Sequence, residues 1–198
     1  MALPETFAEL RTQDLELTPI SQRLHPLDKE ELQFISNDVE YLACRDLAPY
    51  GARTREIESA NQTPMDILPL AEKHTDYTLF KLPKDLLSLD RLTLGHGTKD
   101  IDELKPIYEK AGELIGELSR NYVIHGLGIK SLAMLRSSGQ LVIVPPYHFE
   151  LGKDVTATTL RDFSKSIRQL LTHIVYGRKI AKLTHSSEAG FYHGRDEA

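Results

Sequence analysis

The chain of 198 residues is 40% hydrophobic and 27% charged, which is typical of a globular protein large enough to form its own core. Its formal net charge of −5 excludes the basic character of a nucleic-acid-binding domain. The single cysteine, Cys44, excludes an intrachain disulfide framework and fits a reducing compartment, so we expect a cytoplasmic location.

Membrane spans, secretion and metal binding are not predicted either. The sequence has no run of about 18 apolar residues, which a membrane-spanning helix would need. Residues 1–17 lack the basic segment followed by an apolar one that typifies a secretory signal. The eight histidines include no H-x-x-x-H pair and no cysteine partner, so we expect no metal site.

The first half of the sequence predicts mainly strands. Residues 1–13 indicate a short helix or a loose arm. Residues 15–20 contain a proline, which cannot donate to a strand ladder, so they predict an edge strand at most. Residues 31–36 and 39–45 alternate apolar and polar side chains around Asn37-Asp38. Because both turn residues tolerate a left-handed backbone, this pattern predicts a β-hairpin.

The rest of the first half of the sequence predicts several short helices and strands. Residues 53–61 predict a short helix with a narrow apolar face, and residues 66–70 a short strand or turn. Residues 77–82, with the sequence YTLFKL, are rich in β-forming side chains and predict a strand. Residues 84–92 predict a short helix, and the two glycines within 95–97 indicate a linker.

The second half predicts helices. Apolar side chains recur every three or four residues over 101–119, which predicts an amphipathic helix whose first turn is kinked or separate at Pro106. A second stripe predicts a helix over 157–175 with a threonine cap. Beyond it, residues 178–184 indicate a short helix, and the rest of the chain up to residue 198 a frayed tail.

Between the two long helices lies the stretch from Tyr122 to Glu150. It contains a His-Gly loop and two apolar runs, 132–135 and 141–144, joined by a Ser-Ser-Gly turn, so it predicts a second hairpin. Strands followed by helices favour an α+β fold. The predicted organisation is an N-terminal arm, a β-rich lobe with one short helix, and a helical lobe with a central hairpin, over residues 1–14, 15–83 and 84–198.

Five segments occur in an order known from one family. LACR (42–45) lies where that family carries V-A-I-K on its third strand, and REIE (55–58) where the glutamate that pairs with its lysine is found. YTLFKLP (77–83) is similar to the strand before the hinge. VIHGLGIKSLAML (123–135) is similar to a catalytic loop of the H-G-D type, and QLVIVPP (140–146) to the strand entering D-F-G. Over about residues 15–175, in this order, the chain resembles the protein-kinase-like fold.

The resemblance, which is nearest to the small atypical and lipopolysaccharide kinases, carries expectations about fold and ligand. It implies two lobes, a small β-rich N-lobe and a mostly helical C-lobe. It also implies ATP as the ligand, with or without magnesium. The nucleotide-binding candidates that it implies are Arg45, Glu58, Lys81 and Leu82.

The residues that perform phosphoryl transfer in that family are missing here. The reaction needs a lysine on the phosphates, an aspartate base, and an asparagine and an aspartate for magnesium. The lysine position holds Arg45, whose planar fork does not replace an ammonium. Residues 15–38 contain no glycine, so a glycine-rich phosphate loop is not predicted. The remaining positions, in the two possible alignments, are Leu127 or Gly126 for the base, Leu132 or Ser131 for the asparagine, and Pro145 or Pro146 for the metal aspartate.

Four lost elements in one chain favour a pseudoenzyme that binds a protein or a nucleotide without phosphotransfer, and the partner that we expect is another protein. Two alternatives stay open. One is a divergent but active phosphotransferase that recruits Glu150 or Asp154 for magnesium. The other is an α+β interaction or structural protein unrelated to kinases.

Three features of these segments have a functional and a structural interpretation. Arg45 could pair with Glu56 or Glu58, but three solvated surface charges fit as well. His125 is more typical of a hydrogen-bonded structural residue than of an acid or base. Residues 126–128 indicate a tight turn rather than an anion-binding loop, because no strand is predicted directly before them.

Overall fold

The computed structural model describes residues 3–13, 15–17, 31–45, 70–96, 101–144, 148–171 and 177–196. The predicted helix 53–61 lies outside the described residues, as does nearly all of the predicted segment 66–70. The described part has an antiparallel sheet near its N-terminus and long helices near its C-terminus, so the predicted α+β class is confirmed. None of its helices is long and apolar enough to cross a membrane.

The first sheet has five antiparallel strands in the order β1-β2-β3-β5-β4. The predicted hairpin is confirmed, and its turn residues Asn37 and Asp38 have positive φ angles of 50° and 61°. The predicted strand at 77–82 is confirmed as β5, and β1 lies at an edge, as expected. The elements up to this point are α1 (Phe7–Thr12), β1 (Glu16–Leu17), β2 (Glu31–Ser36), β3 (Val39–Arg45), β4 (Leu70–Lys73) and β5 (Tyr77–Lys81).

Helix α1 covers one face of this sheet. Because side chains alternate along a strand, β3 sends Ala43 to that face and Leu42 and Cys44 to the other. The Tyr77 hydroxyl donates to the carbonyl oxygen of Pro4 at 2.7 Å, which ties the segment before α1 to β5. The covered face forms what we call the α1 cluster, made of Phe7, Leu10, Phe34, Ala43, Tyr77 and Leu79.

A second sheet begins where a helix was predicted. Residues 84–92 are not one helix: they form β6 (Leu86–Ser88) and the start of α2 (Leu89–His96). The backbone of 86–88 pairs with β8 (Leu132–Leu135), a long-range contact that outweighs local helix propensity. The expected linker at 95–97 is also wrong for its first two residues, because α2 continues to His96.

The middle of the chain contains a predicted helix, a predicted hairpin and an unpredicted pair of strands. Helix α3 (Ile101–Leu118) continues through Pro106, so its first turn is not a separate element. β8 and β9 (Leu141–Ile143) form the predicted hairpin and complete the three-stranded sheet β6-β8-β9. The His-Gly region differs from a simple loop, since β7 (Tyr122–His125) pairs with β10 (His148–Leu151).

The C-terminal region is more regular than predicted. Helix α4 (Thr158–Leu171) follows the predicted stripe, but α5 (Gly177–Asp196) is a 20-residue helix in place of a short helix and a frayed tail. Gly190 lies against the backbone of Glu109, and Gly194 against that of Glu113. Because the residue numbers of the contacting positions increase together along the two helices, α3 and α5 run parallel to each other. Glycine has no side chain, so these two positions let the helix backbones approach closely.

Candidate functional site

Four of the five segments that resemble a kinase active site, at 42–45, 77–83, 123–135 and 140–146, have residues that meet where the two sheets contact each other. The fifth, at 55–58, lies outside the described residues. Where the sheets meet, β3 and β5 of the first sheet pack against β6, β8 and β9 of the second. The amide of Leu82 donates to the carbonyl of Glu40 at 2.9 Å, and the amide of Val144 to that of Ser131 at 2.8 Å. The buried face of the first sheet also carries the polar side chains of Gln33, Glu40 and Thr78, and the hydrophobic residues of the contact form one cluster. We call it the junction cluster: Leu42, Cys44, Phe80, Leu82, Leu86, Ala133, Val142 and Val144.

The four nucleotide-binding candidates are not brought together. Arg45 lies opposite Tyr77 in the strand pairing and Lys81 opposite Tyr41, so both project from the face that α1 covers. They are four positions apart along the ladder, which separates them by about 13 Å. Leu82 is on the other side of the sheet, in the junction cluster, and Glu58 lies outside the described residues.

The strand alternation revises the comparison of LACR with V-A-I-K. Leu42 and Cys44 of β3 face the second sheet, whereas Arg45 projects to the opposite face. A shift of one residue exchanges the two faces of a strand. On the face that points to the second sheet, the residue two positions after Leu42 is Cys44, which is 8% exposed and cannot supply the positive charge of a lysine.

The loop from Gly126 to Ser131 follows β7 directly, so the expectation that no strand precedes it is wrong. Gly126 has a φ of 70° and turns the chain after the strand. Its amide donates to Oδ2 of Asp162 at 3.3 Å, and the amide of Ile129 donates to Oγ of Ser166 at 2.8 Å. The Gly128 amide is 3.5 Å from Oγ of Ser131. These three amides are therefore engaged within the protein, which disfavours an anion-binding loop.

The positions that would hold the catalytic aspartate and asparagine carry apolar or small residues. The side chain of Leu127 is 1% exposed and that of Leu132 is fully buried, and both belong to the core between the helices. Ser131 ends the short 3-10 turn Ile129–Ser131, and its backbone pairs with Val144. Pro145 and Pro146 lie outside the described residues. The loop therefore presents no carboxylate of its own.

Asp154 has a structural role rather than the proposed role in binding magnesium. Its two carboxylate oxygens accept hydrogen bonds from the amides of Thr158 and Thr159, each at 2.8 Å, and the residue is 1% exposed. Asp154 thus caps α4, and the expected threonine cap is wrong. Burial by itself raises the pKa of Asp154, but the hydrogen bonds from Thr159 and Thr158 outweigh it and lower the pKa.

Other shifted pKa values also have structural causes. The hydroxyl and amide of Ser137 lower the pKa of Asp85, and Lys105 lowers that of Asp102. Burial raises the pKa of Tyr108, whose hydroxyl is 2.9 Å from that of Thr93. Within the described ranges, no group of three histidine, cysteine, aspartate or glutamate residues could hold a metal ion.

Sequence reasoning missed the two side chains of α4 that hold the loop. Asp162 and Ser166 are one helical turn apart, on either side of the fully buried Phe163 in the sequence. The available signal was this pair of short polar residues beside the apolar stripe. Its meaning depended on knowing that β7 brings the loop to α4, which local periodicity does not reveal.

Comparison with known proteins gives no family for the chain. No family model matches it, and neither does any curated protein sequence. Among solved structures, it is similar to the crystal structure of choline kinase LicA from Streptococcus pneumoniae, with 11% identity and a TM-score of 0.43. That alignment covers 92% of this chain and 89% of the other. At this identity and TM-score the likeness establishes neither a family nor an activity.

Proposed function

We propose that this chain is a kinase-like protein that transfers no phosphate and acts by binding a partner protein. The order of its segments supports the proposal. The strands at 31–45 and 77–81 share one sheet, as a kinase-like arrangement of LACR and YTLFKLP requires. The long helix, loop and hairpin follow in the same order as in the resemblance.

The residues at the position of the catalytic base are the main support for the absence of phosphoryl transfer. Leu127 occupies the base position in one alignment and is buried in the core between the helices. Gly126, which occupies it in the other, has no side chain. Proton transfer from a substrate hydroxyl needs a group within hydrogen-bond reach of that hydroxyl. A buried leucine and a glycine offer none, and the neighbouring amides already bond to Asp162 and Ser166.

Binding of a nucleotide without turnover has less support from the structure than binding of a protein. An adenine ring needs an apolar slot between the lobes, and the described part of that region is filled by the junction cluster. The two cations among the nucleotide-binding candidates, Arg45 and Lys81, project from the far face of the first sheet. Protein binding therefore fits the described residues better than nucleotide binding.

A divergent phosphotransferase remains a second candidate because of Asp162. Its carboxylate bonds to the amide of Gly126, at the loop where the resemblance places the catalytic base. The side chain is half-buried, so a substrate hydroxyl could reach it. If the chain is active, Asp162 is the described residue best placed to accept a proton.

The test is phosphate transfer from γ-labelled ATP, with magnesium, by the purified chain. We expect no turnover above that of the buffer. Turnover that Asp162→Asn abolishes would establish the phosphotransferase instead. Asp85→Asn is the matched control, because Asp85 bonds to Ser137 at the turn of the second hairpin. Calorimetry with ATP, with and without magnesium, then separates nucleotide binding from protein binding alone.

A further inference from the structure

A groove of about 370 Å³ lies between α4 and α5, on a surface that the sequence did not single out. Ala157 and Leu160 contribute apolar lining. Arg161, Lys165 and Arg168 line the α4 side and are exposed. Their spacing of four and three residues places the three cations in a row along one face of the helix. The groove therefore combines an apolar lining with a positive wall, on a chain of net charge −5.

Two exposed apolar side chains belong to residues that are next to, or one helical turn from, residues that line the groove. Among the residues whose exposure the structure describes, the exposed large hydrophobic side chains are Val155, at 73%, and Tyr192, at 54%. Val155 directly precedes Thr156, which lines the groove. Tyr192 lies one helical turn after Glu188, the α5 residue that lines it. Exposed apolar groups beside a concave surface are typical of an interaction site.

A buried hydroxyl adds a third, independent feature. Ser164 lines the groove and is 7% exposed, and its Oγ has no hydrogen-bond partner among the described residues. An unsatisfied buried hydroxyl destabilises a fold, so native proteins seldom leave one without a reason. A polar group of a partner that reaches Oγ of Ser164 would supply the missing hydrogen bond.

We propose that this groove binds a short acidic segment of a partner protein that also carries apolar side chains. Its carboxylates meet Arg161 and Lys165, while its apolar side chains meet Leu160, Val155 and Tyr192. A free phosphate would contact only the cations, and a purely apolar segment would bring no carboxylate to Arg161 and Lys165. The inference deepens the proposed function, on which it rests, by assigning the protein-binding surface and the chemistry of its partner.

The test is selection from a library of random displayed short peptides on the full chain. We expect the enriched peptides to combine aspartate or glutamate with apolar residues, and Lys165→Glu to weaken their binding about fivefold to tenfold. Lys110→Glu is the matched control, since Lys110 is an exposed lysine on α3 and its reversal changes the net charge equally. We expect it to change the affinity less than about twofold. Hydrogen exchange should show protection by the peptide in 153–168 and 185–196.

Several outcomes would overturn the assignment. The first is a selection that enriches no peptides, or basic peptides. The second is an equal weakening of binding by Lys165→Glu and Lys110→Glu. The third is protection of the groove from hydrogen exchange by inorganic phosphate alone. Self-association that Lys165→Glu dissolves would assign the surface to a second copy of the chain. These outcomes are distinct from failure of the proposed function. If the chain turns over ATP and the groove binds peptides, only the proposal of a pseudoenzyme is refuted. If neither turnover nor peptide binding is observed, only the assignment of the groove is refuted.

Discussion

The backbone N–H of Gly126 donates a hydrogen bond to Oδ2 of Asp162, 3.3 Å away and 36 residues later in the chain. One helical turn further along α4, Oγ of Ser166 accepts from the amide of Ile129 at 2.8 Å. The same hydroxyl donates to the carbonyl of Phe163 at 2.7 Å. The conformation of the loop that follows β7 is therefore held by α4 and not by the sequence of the loop alone.

Ser166→Ala tests this anchor. The substitution leaves the amide of Ile129, a residue that is 1% exposed, without its acceptor, and we expect a loss of about 1–2 kcal/mol of unfolding free energy. Ser186→Ala is the control, because Ser186 is also a half-buried serine inside a helix. Urea unfolding followed by circular dichroism measures both. Equal effects of the two substitutions would show that the hydrogen bond contributes nothing.

Asp154→Asn tests the carboxylate cap of α4. The hydrogen bonds from Thr158 and Thr159 outweigh burial and hold the pKa of Asp154 below its usual value. Its charged form therefore stabilises the fold at neutral pH, and this contribution is lost as pH falls through the lowered pKa. We expect Asp154→Asn to be less stable than wild type by about 1 kcal/mol near neutral pH.

The pH profile separates the charge from the shape of the cap. The difference between wild type and Asp154→Asn should be complete above the usual pKa of an aspartate, about 3.9, and should shrink as the pH falls below it. Unfolding in urea across that range measures it. A difference that is constant with pH would mean that the cap acts through geometry and not through its charge. Asp154→Ala, which removes both acceptors, should be less stable than the asparagine variant near neutral pH.

Gly190→Ala tests the close contact between α3 and α5. In an isolated helix this change is favourable by about 1 kcal/mol. Here a methyl group would collide with the carbonyl oxygen of Glu109, so we expect destabilisation by about 2 kcal/mol or more. Ala189→Gly, at the exposed neighbouring position, reports helix propensity alone and should cost about 1 kcal/mol. Thermal unfolding compares the two. Stabilisation by Gly190→Ala would contradict the contact.

Tyr77→Phe tests the attachment of α1 to the first sheet. It removes the hydrogen bond to Pro4, which we expect to cost about 1 kcal/mol. Burial, together with Glu72, Glu5 and Asp76, raises the pKa of Tyr77 to about 12. The neutral phenol is thus the form that the fold favours. Its contribution is complete below about pH 10 and is lost as pH rises towards 12.

The readout is unfolding in urea at several alkaline pH values. Over that range wild type should lose its advantage over Tyr77→Phe. Tyr192→Phe is the control, because the side chain of Tyr192 is 54% exposed. A parallel pH dependence in Tyr77→Phe and wild type would refute the role of this phenol.

Leu127→Asp tests whether the loop is a damaged catalytic loop or an integral part of the core. Because Leu127 is 1% exposed and packs in the core between the helices, we expect an aspartate there to cost at least about 3 kcal/mol. Leu127→Met, which conserves volume, should cost less than about 1.5 kcal/mol. A stable Leu127→Asp variant that turns over ATP would contradict both the packing and the proposed function.

Local sequence patterns predicted the elements whose signal lies within one contiguous segment. The hairpin at 31–45, helices α3 and α4, and the hairpin of β8 and β9 each repeat apolar residues with the period of their own element. Asn37-Asp38 identified the turn of the first hairpin, because those residues accept the positive φ that it needs.

Helix α5 shows why a real periodicity can be missed. Its buried positions recur every three or four residues, but many of them hold threonine, serine or glycine instead of large apolar residues. Such small side chains resemble a loop in composition. They belong to a helix here because α3 runs close alongside, where large side chains would not fit.

Local sequence patterns were enough to infer the α+β class, the two hairpins, the two amphipathic helices, and the lack of catalytic carboxylates at the aligned loop positions. They did not reveal that Arg45 and Leu82 lie on opposite faces of one sheet, that β7 pairs with β10, or that Asp162 holds the loop. The two groups of features differ in the sequence separation of the residues that interact. A periodic stripe depends on neighbours a few residues apart, whereas a strand partner or a loop anchor is chosen among residues far along the chain.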